Sequence, residues 1–170
     1  GEGHFAAVLC RDKDSVPSGG KVTLAAVPKL PAEMESFFQF LDTEGIHYPF
    51  DKKRLLVQNG YVQYIPEGMP ELKGLHIMRS GWFLGELKKK RFEPSGAFAR
   101  GLTPDVCDKV IAYPGDSEEV VRYLKCETLQ VDPNLKNGWY LICVDEFALG
   151  WGKVSNGTLK NKYPSGWRLV

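Results

Sequence analysis

Four cysteines and three histidines are the side chains in this sequence that could serve as nucleophile, base or soft metal ligand, and their spacing favours none of those uses. Cys10, Cys107, Cys126 and Cys143 are scattered, with neither a Cys-x-x-Cys pair nor a nearby pair of histidines, so a zinc site is not indicated. Thiols placed in this way read as ordinary reduced cysteines, which points to the cytoplasm. His4, His47 and His76 stand far apart, and each reads as a surface or strand histidine. P-loop, Gly-x-Ser-x-Gly and His-Glu-x-x-His signatures do not occur. Folding can still bring a cysteine to a histidine, so a thiol-dependent hydrolase stays open as one reading.

The basic side chains are better organised. Lys88-Lys89-Lys90-Arg91 is a run that can neutralise phosphates and release their counterions, although a solvated strand end accounts for it equally well. Trp151-Gly152-Lys153 and Lys160-Asn161-Lys162-Tyr163 interleave rings with cations, the composition of a surface that stacks unpaired bases while holding their backbone. Trp139, Trp151 and Trp167 read first as core, because large aromatics in strands bury area. Asn161 and Tyr163 read as exposed polar contacts. The net charge is only +1, but residues 101–146 carry nine acids against four bases, whereas 74–100 carry six bases against two acids and 147–170 four bases and no acid. Two basic segments therefore bracket an acidic one, and a basic face is compatible with the neutral total.

The elements that must position these groups follow from pattern. Pro31 precedes Met34, Phe37, Phe38 and Leu41, an amphipathic helical stripe that Gly45 can end. Residues 54–58 and 61–65 flank Asn59-Gly60, a strong hairpin signal. Residues 5–10, 75–78 and 82–87 read as strands, 95–102 as a short helix, and Pro66, Gly68 and Pro70 as a domain boundary. Thr103-Pro104-Asp105 predicts a helix through Ile111, and Asp116 with Glu119 a capping box for a second one. Residues 139–144 and 147–154 form a further hairpin around Asp145-Glu146, with close backbone approach expected at Gly150 and Gly152. Asn156-Gly157 then turns the chain into an extended segment at 159–163. No apolar run is long enough to span a membrane. The start Gly1-Glu2-Gly3-His4, without methionine or a signal-peptide pattern, predicts a piece of a longer chain.

Three phrases carry a family resemblance: Gly74-Leu-His-Ile-Met-Arg79 with Leu84-Gly-Glu-Leu-Lys88, Arg91-Phe-Glu-Pro-Ser95, and Leu149-Gly-Trp-Gly-Lys153 with Leu159-Lys-Asn-Lys-Tyr-Pro164. Over nearly its whole length the chain resembles the C-terminal part of bacterial RsmF-like RNA cytosine-5 methyltransferases of the Nop/Sun family. The resemblance implies an α+β fold: residues 1–14 as the final strand of a methyltransferase domain, 15–67 as a small α+β linking module, and 68–170 as a PUA-like RNA-binding domain, a mixed β-barrel with inserted helices. The chain departs from the family in its chemistry. Those enzymes use two cysteines that follow proline or threonine, and neither Pro-Cys nor Thr-Cys occurs here. The S-adenosylmethionine-binding strand and glycine loop are also missing, so this chain is expected to hold no cofactor and to be catalytically silent, while the parent enzyme uses S-adenosylmethionine.

The resemblance thus implies a substrate-positioning role on ribosomal RNA of the small subunit, beside an upstream methyltransferase domain of the same chain. The expected RNA contacts are Arg79, Lys88, Lys89, Lys90, Arg91, Lys153, Lys160, Asn161, Lys162, Tyr163 and Arg168. A protein-interaction module, docking a partner or the catalytic domain through the aromatic C-terminal face, is the alternative from another class.

Overall fold

The computed structural model describes residues 23, 24, 26, 29–71, 74 and 80–170. The expected strands at 5–10 and 75–78, and with them His4, Cys10, His76 and Arg79, lie outside the described residues.

A 3-10 turn at Ala32–Met34 leads into α1, Glu35–Glu44, which ends where Gly45 adopts a left-handed φ of 67°. A Cβ at Gly45 would also meet the Asp108 carboxylate, so the position requires glycine on two grounds. The helix buries Met34, Phe37 and Phe40, whereas Phe38 and Leu41 of the expected stripe are only partly covered. The first sheet is an antiparallel meander of β1 (Leu55–Gln58), β2 (Tyr61–Tyr64), β3 (Trp82–Lys88) and β4 (Arg91–Pro94). Asn59 and Gly60, at φ 51° and 80°, make the predicted tight turn between β1 and β2. β2 pairs with β3, so the division expected at 67/68 falls in a connection inside this sheet: the Pro and Gly residues of 66–70 mark a loop rather than a break between units.

The second sheet is mixed, in the order β5-β7-β8-β9-β6, and forms a curled half-barrel. Its strands are β5 (Val110–Tyr113), β6 (Leu129–Gln130), β7 (Gly138–Val144), β8 (Phe147–Ser155) and β9 (Thr158–Asn161). The expected turns at Asp145-Glu146 and Asn156-Gly157 join β7 to β8 and β8 to β9. A register shift between Ile142 and Cys143 leaves Leu149 of β8 as the extra residue, next to Gly150, and a Cβ at Gly150 would meet the Tyr123 hydroxyl, which is the close approach anticipated there. Together these elements give the α+β class.

Two helix expectations need correction. The helix predicted from Thr103 to Ile111 is only a 3-10 turn, Pro104–Val106, and the chain then becomes β5, paired in parallel with β7. Thr103 makes no side-chain cap, and the β-branched pair Val110-Ile111 gains more by joining the sheet edge than by continuing a helix. The second helix, α3 (Glu118–Leu124), is capped by Ser117, whose Oγ accepts from the Val120 amide at 3.4 Å, rather than by Asp116. Among the described residues no helix is long and apolar enough to cross a membrane.

The remaining helix, α2 (Gly96–Arg100), is inserted between the sheets. Ser95 caps it by accepting from the Phe98 amide at 2.9 Å and donates to the Phe83 carbonyl at 2.6 Å. The Trp82 indole N–H donates to the Ala97 carbonyl at 2.7 Å, and that of Trp151 to the Ser95 carbonyl at 2.9 Å, so both sheets are bonded to one short helical segment. Phe98 is fully buried, with the rings of Phe37, Phe50, Trp82, Phe92 and Trp151 all centred within 6.5 Å. A second apolar cluster, Tyr123, Leu129, Tyr140, Ile142, Val154 and Leu159, fills the opposite face of the mixed sheet. Glu44, at the end of α1, accepts from Lys109 Nζ at 2.7 Å and from the Trp139 amide at 3.0 Å, fastening the helix to the starts of β5 and β7.

Because the first cluster draws on both sheets, the chain is expected to unfold in one cooperative step, with far-ultraviolet circular dichroism and tryptophan fluorescence coincident in urea. Phe98→Ala is expected to lower the stability of both sheets together by about 3–5 kcal/mol. Separate transitions would show that the core is not shared.

Candidate nucleic-acid interface

The run Lys88-Arg91 occupies the turn between β3 and β4. Lys90 sits there with φ 62°. A left-handed backbone costs a side chain with a Cβ roughly 1 kcal/mol, so a lysine at this position stores local strain that glycine would relieve. The run does not act as one block. Lys88 pairs with Glu86, and Lys88 and Lys89 open onto a groove shared with Glu33 and Glu35 of the first helical turns. Lys90 borders that groove too, but it also lines, with Arg91, a second cleft that opens toward the mixed sheet.

On that sheet the alternation of side chains does the placing. Tyr140, Ile142 and Val154 enter the second cluster, so their neighbours Trp139, Leu141, Trp151 and Lys153 look toward α1 and β4. Trp139 is opposite Lys153 in the β7–β8 register, and Lys153 is opposite Lys160 in the β8–β9 register. Lys162 follows two residues later, its amide donating to the Trp151 carbonyl at 3.0 Å. The ammonium groups of Lys153 and Lys162 lie 5.8 and 5.6 Å from the centre of the Trp139 ring. Directly opposed like charges destabilise a bare antiparallel pair, so the Lys153–Lys160 pairing suits an anion bound across it.

The walls enclose an open cleft of about 370 Å³ lined by Ser36, Gln39, Phe40, Thr43, Glu44, Lys90, Arg91, Phe92, Glu93, Trp139, Lys153 and Lys162. Its four cations face two carboxylates, neither of which is uncompensated. Glu44 is neutralised by Lys109, and Glu93 lies 3.7 Å from Arg91. Among the described residues Lys90, Lys153, Lys160 and Lys162 enter no ion pair. The arrangement is one of exposed cations beside a half-buried indole and neutral hydrogen-bonding groups, suited to a phosphorylated aromatic ligand.

The structure therefore brings together Lys90, Arg91, Lys153, Lys160 and Lys162 and sets other expected contacts apart. Asn161 is not a free polar contact: its amide donates to the carbonyls of Tyr123 at 2.8 Å and Glu127 at 3.1 Å, and its Oδ1 accepts from the Tyr163 amide at 2.8 Å. Tyr163 packs its ring against Tyr123 and Trp167 in the second cluster, so it too serves the fold. Both are engaged within the fold at the C-terminal end of β9, where Asn161 is tied to the Tyr123 carbonyl of α3 and the Tyr163 ring lies on the Tyr123 ring. Arg168 is exposed outside the cleft, beyond Trp167, whose ring lies under the Arg100 guanidinium at 4.5 Å. Of the tryptophans, Trp151 is buried, Trp139 half-buried and Trp167 58% exposed, so the core reading holds for the first and fails for the last. Sequence reasoning missed Ser36, Gln39 and Thr43. Their helical spacing places them on one flank of α1, a signal available from the period that located the apolar stripe.

Cys107 and Cys143 lie in an environment unlike that of a nucleophile. Burial, with a smaller contribution from neighbouring Cys143, Asp105 and Asp108, pushes Cys107 up to about 12, and burial alone pushes Cys143 up to about 11. Both are therefore protonated at neutral pH. His47 Nε2 is engaged by Asp108 at 2.9 Å, and no histidine–cysteine hydrogen bond forms among the described residues. Nor do those residues include a cluster of metal-ligating side chains.

Comparison with known families gives two adjoining matches. Residues 37–102, comprising most of α1, the first sheet and α2, match the RsmF rRNA methyltransferase first C-terminal domain. Residues 111–169, holding the mixed sheet and α3, match the methyltransferase RsmF PUA domain. The two meet at the 3-10 turn before β5, and the cleft is built from both. With these domains in this order over a shared core, the chain belongs to the RsmF rRNA methyltransferase family, as an accessory RNA-binding region of such an enzyme.

Proposed function

We propose that this chain is the non-catalytic, substrate-positioning part of an S-adenosylmethionine-dependent methyltransferase acting on cytosine C5 of small-subunit ribosomal RNA in the cytoplasm. The observation that carries this reading is the convergence of Lys90 and Arg91 from one sheet with Lys153, Lys160 and Lys162 from the other. Cations on a rigid two-sheet frame fix the register of a phosphate backbone, and phosphate contacts position rather than specify. Held in this way, a target cytosine is delivered at a constant angle to a methyltransferase domain upstream.

S-adenosylmethionine itself does not suit this cleft or the loop that follows β5. Its sulfonium is cationic, whereas the cleft is lined by four basic side chains, and the loop from β5 to α3, Pro114-Gly115-Asp116-Ser117, has a single glycine. The cofactor is assigned to the upstream domain. Protonated Cys107 and Cys143 argue against a thiol-dependent hydrolase. The protein-interaction reading draws on a different surface: Trp167 and Leu169, 58% and 45% exposed, offer an apolar C-terminal patch to a neighbouring domain.

RNA affinity measured across a salt series is expected to fall steeply, in proportion to the phosphates neutralised. Lys160→Glu with Lys162→Glu is expected to weaken binding uniformly across RNA sequences and to lower the salt slope by about one for each phosphate no longer neutralised. Weak binding indifferent to salt would refute the phosphate grip. Were the basic face buried on the catalytic domain instead, the same pair of changes would alter domain association and RNA would not compete for it.

Lys90→Gly is expected to raise thermal stability, by roughly 0.5–1 kcal/mol from the relieved backbone, while weakening RNA binding. Unchanged binding in that variant would remove Lys90 from the interface.

For the thiols, folding raises the pKa above the ordinary value near 9, so the stability they contribute is intact below pH 9 and is lost as pH climbs toward 12, where the unfolded chain ionises first. Iodoacetamide at pH 8 is expected to leave Cys107 and Cys143 unmodified in the native chain by peptide mass spectrometry. Rapid alkylation of either would reopen the nucleophile reading.

A further inference from the structure

Taking the basic face as an RNA-binding surface, we infer that the cleft between the sheets receives one unpaired nucleotide, its base stacked on Trp139 and its phosphate held by the surrounding cations. The inference rests on that reading but goes beyond it, since gripping a duplex backbone needs only a basic surface and no aromatic-floored recess. An A-form helix presents ribose and phosphate outward and keeps its bases stacked inside. A cleft of about 370 Å³ with a ring in its wall is of a size for one nucleotide and is closed to a double helix.

Trp139 has the features of a stacking platform. Near-perpendicular contacts with Phe40, 6.2 Å between centroids, and Trp151, 6.4 Å, lock the indole in place, and its remaining surface opens into the cleft. A fixed ring loses little entropy when a base settles on it. The ammonium groups of Lys153 and Lys162, 5.8 and 5.6 Å from the ring centre, are held only loosely by its π-face. They are free to swing outward to a phosphate when a base takes their place.

The opposite wall supplies the groups that meet a base edge. Gln39 offers a carbonyl acceptor and an amide whose hydrogen bond, donated to Glu35, is long at 3.5 Å, and Thr43 offers a hydroxyl with no hydrogen bond to another described side chain. Ser36 is less available, because its Oγ donates to the Glu33 carbonyl at 2.8 Å. Of the carboxylates, Glu44 is paired through Oε2 with Lys109 and the Trp139 amide, while Glu93 stays beside Arg91 at the rim. Gln39, Thr43, Lys90 and Arg91 belong to the first matched domain, whereas Trp139, Lys153 and Lys162 belong to the second. The site therefore exists only where the two are packed together.

The test uses the whole chain with two probes, a fluorescein-labelled oligouridylate, which stays unpaired, and a blunt RNA duplex of equal length, each titrated at two salt concentrations. The wild-type chain is expected to bind the single strand about tenfold more tightly than the duplex. Trp139→Ala is expected to abolish that preference by lowering single-strand affinity alone. Because this change also removes packing against Phe40 and Trp151, Gln39→Ala with Thr43→Ala, on the exposed flank of α1, provides a second variant expected to reduce the preference without changing the melting temperature. Equal binding of both probes by the wild type, or a preference that survives in both variants, overturns the nucleotide site and leaves salt-dependent RNA binding standing. Salt-insensitive binding of both probes instead overturns the phosphate-gripping reading beneath it.

Discussion

The packing of Phe98 between two sheets is the constraint on which the rest of this molecule depends. A short helix of five residues has little intrinsic stability, yet α2 is held by a serine cap at its start and by one indole N–H from each sheet. Those bonds bring Trp82 and Trp151 onto the same ring, and through them the antiparallel meander and the mixed sheet close around one core. The two matched domains are therefore not beads on a linker. Their common interior is aromatic, and aromatic pairs prefer defined angles, so the mutual orientation of the sheets is determined by packing.

The electrostatics of the cleft follow from that orientation. A chain of net charge +1 has no general attraction for a polyanion, and two of its basic segments are separated by an acidic one. Folding sorts them. Glu44, the acid nearest the floor of the cleft, is paired with Lys109 and a backbone amide, while Glu86 draws Lys88 aside. Lys90, Lys153, Lys160 and Lys162 are left together, and a strained backbone at Lys90 with a directly opposed lysine pair at 153 and 160 are arrangements that folding energy alone does not favour. Such locally unfavourable choices are most often found where a ligand repays them.

Much of the local structure was legible in the residues. The α1 stripe, the Asn-Gly turns at 59–60 and 156–157, and the long β7–β8 hairpin depend on short-range sterics and period, which a sequence displays directly. Readings failed where a distant partner outweighed local preference. Thr103-Pro104-Asp105 has the composition of a helix start, but β5 gains a parallel neighbour thirty-one residues away, Val110 beside Leu141, and becomes a strand. Asn161 and Tyr163 have the composition of an exposed contact, but the Asn161 amide is bonded to the Tyr123 and Glu127 carbonyls and the Tyr163 ring packs on Tyr123.

By itself the sequence determined the amphipathic helix, the hairpins and the two separate basic stretches, and showed no recognisable catalytic or metal motif, because composition, turn chemistry and spacing are local properties. Only the tertiary structure decided which of those cations meet. Whether a lysine faces an acid, a tryptophan or open water depends on the register of its strand and on the sheet packed against it, and in this protein that packing is set by an aromatic core assembled from residues more than fifty positions apart, Ser95 and Phe98 with Trp151.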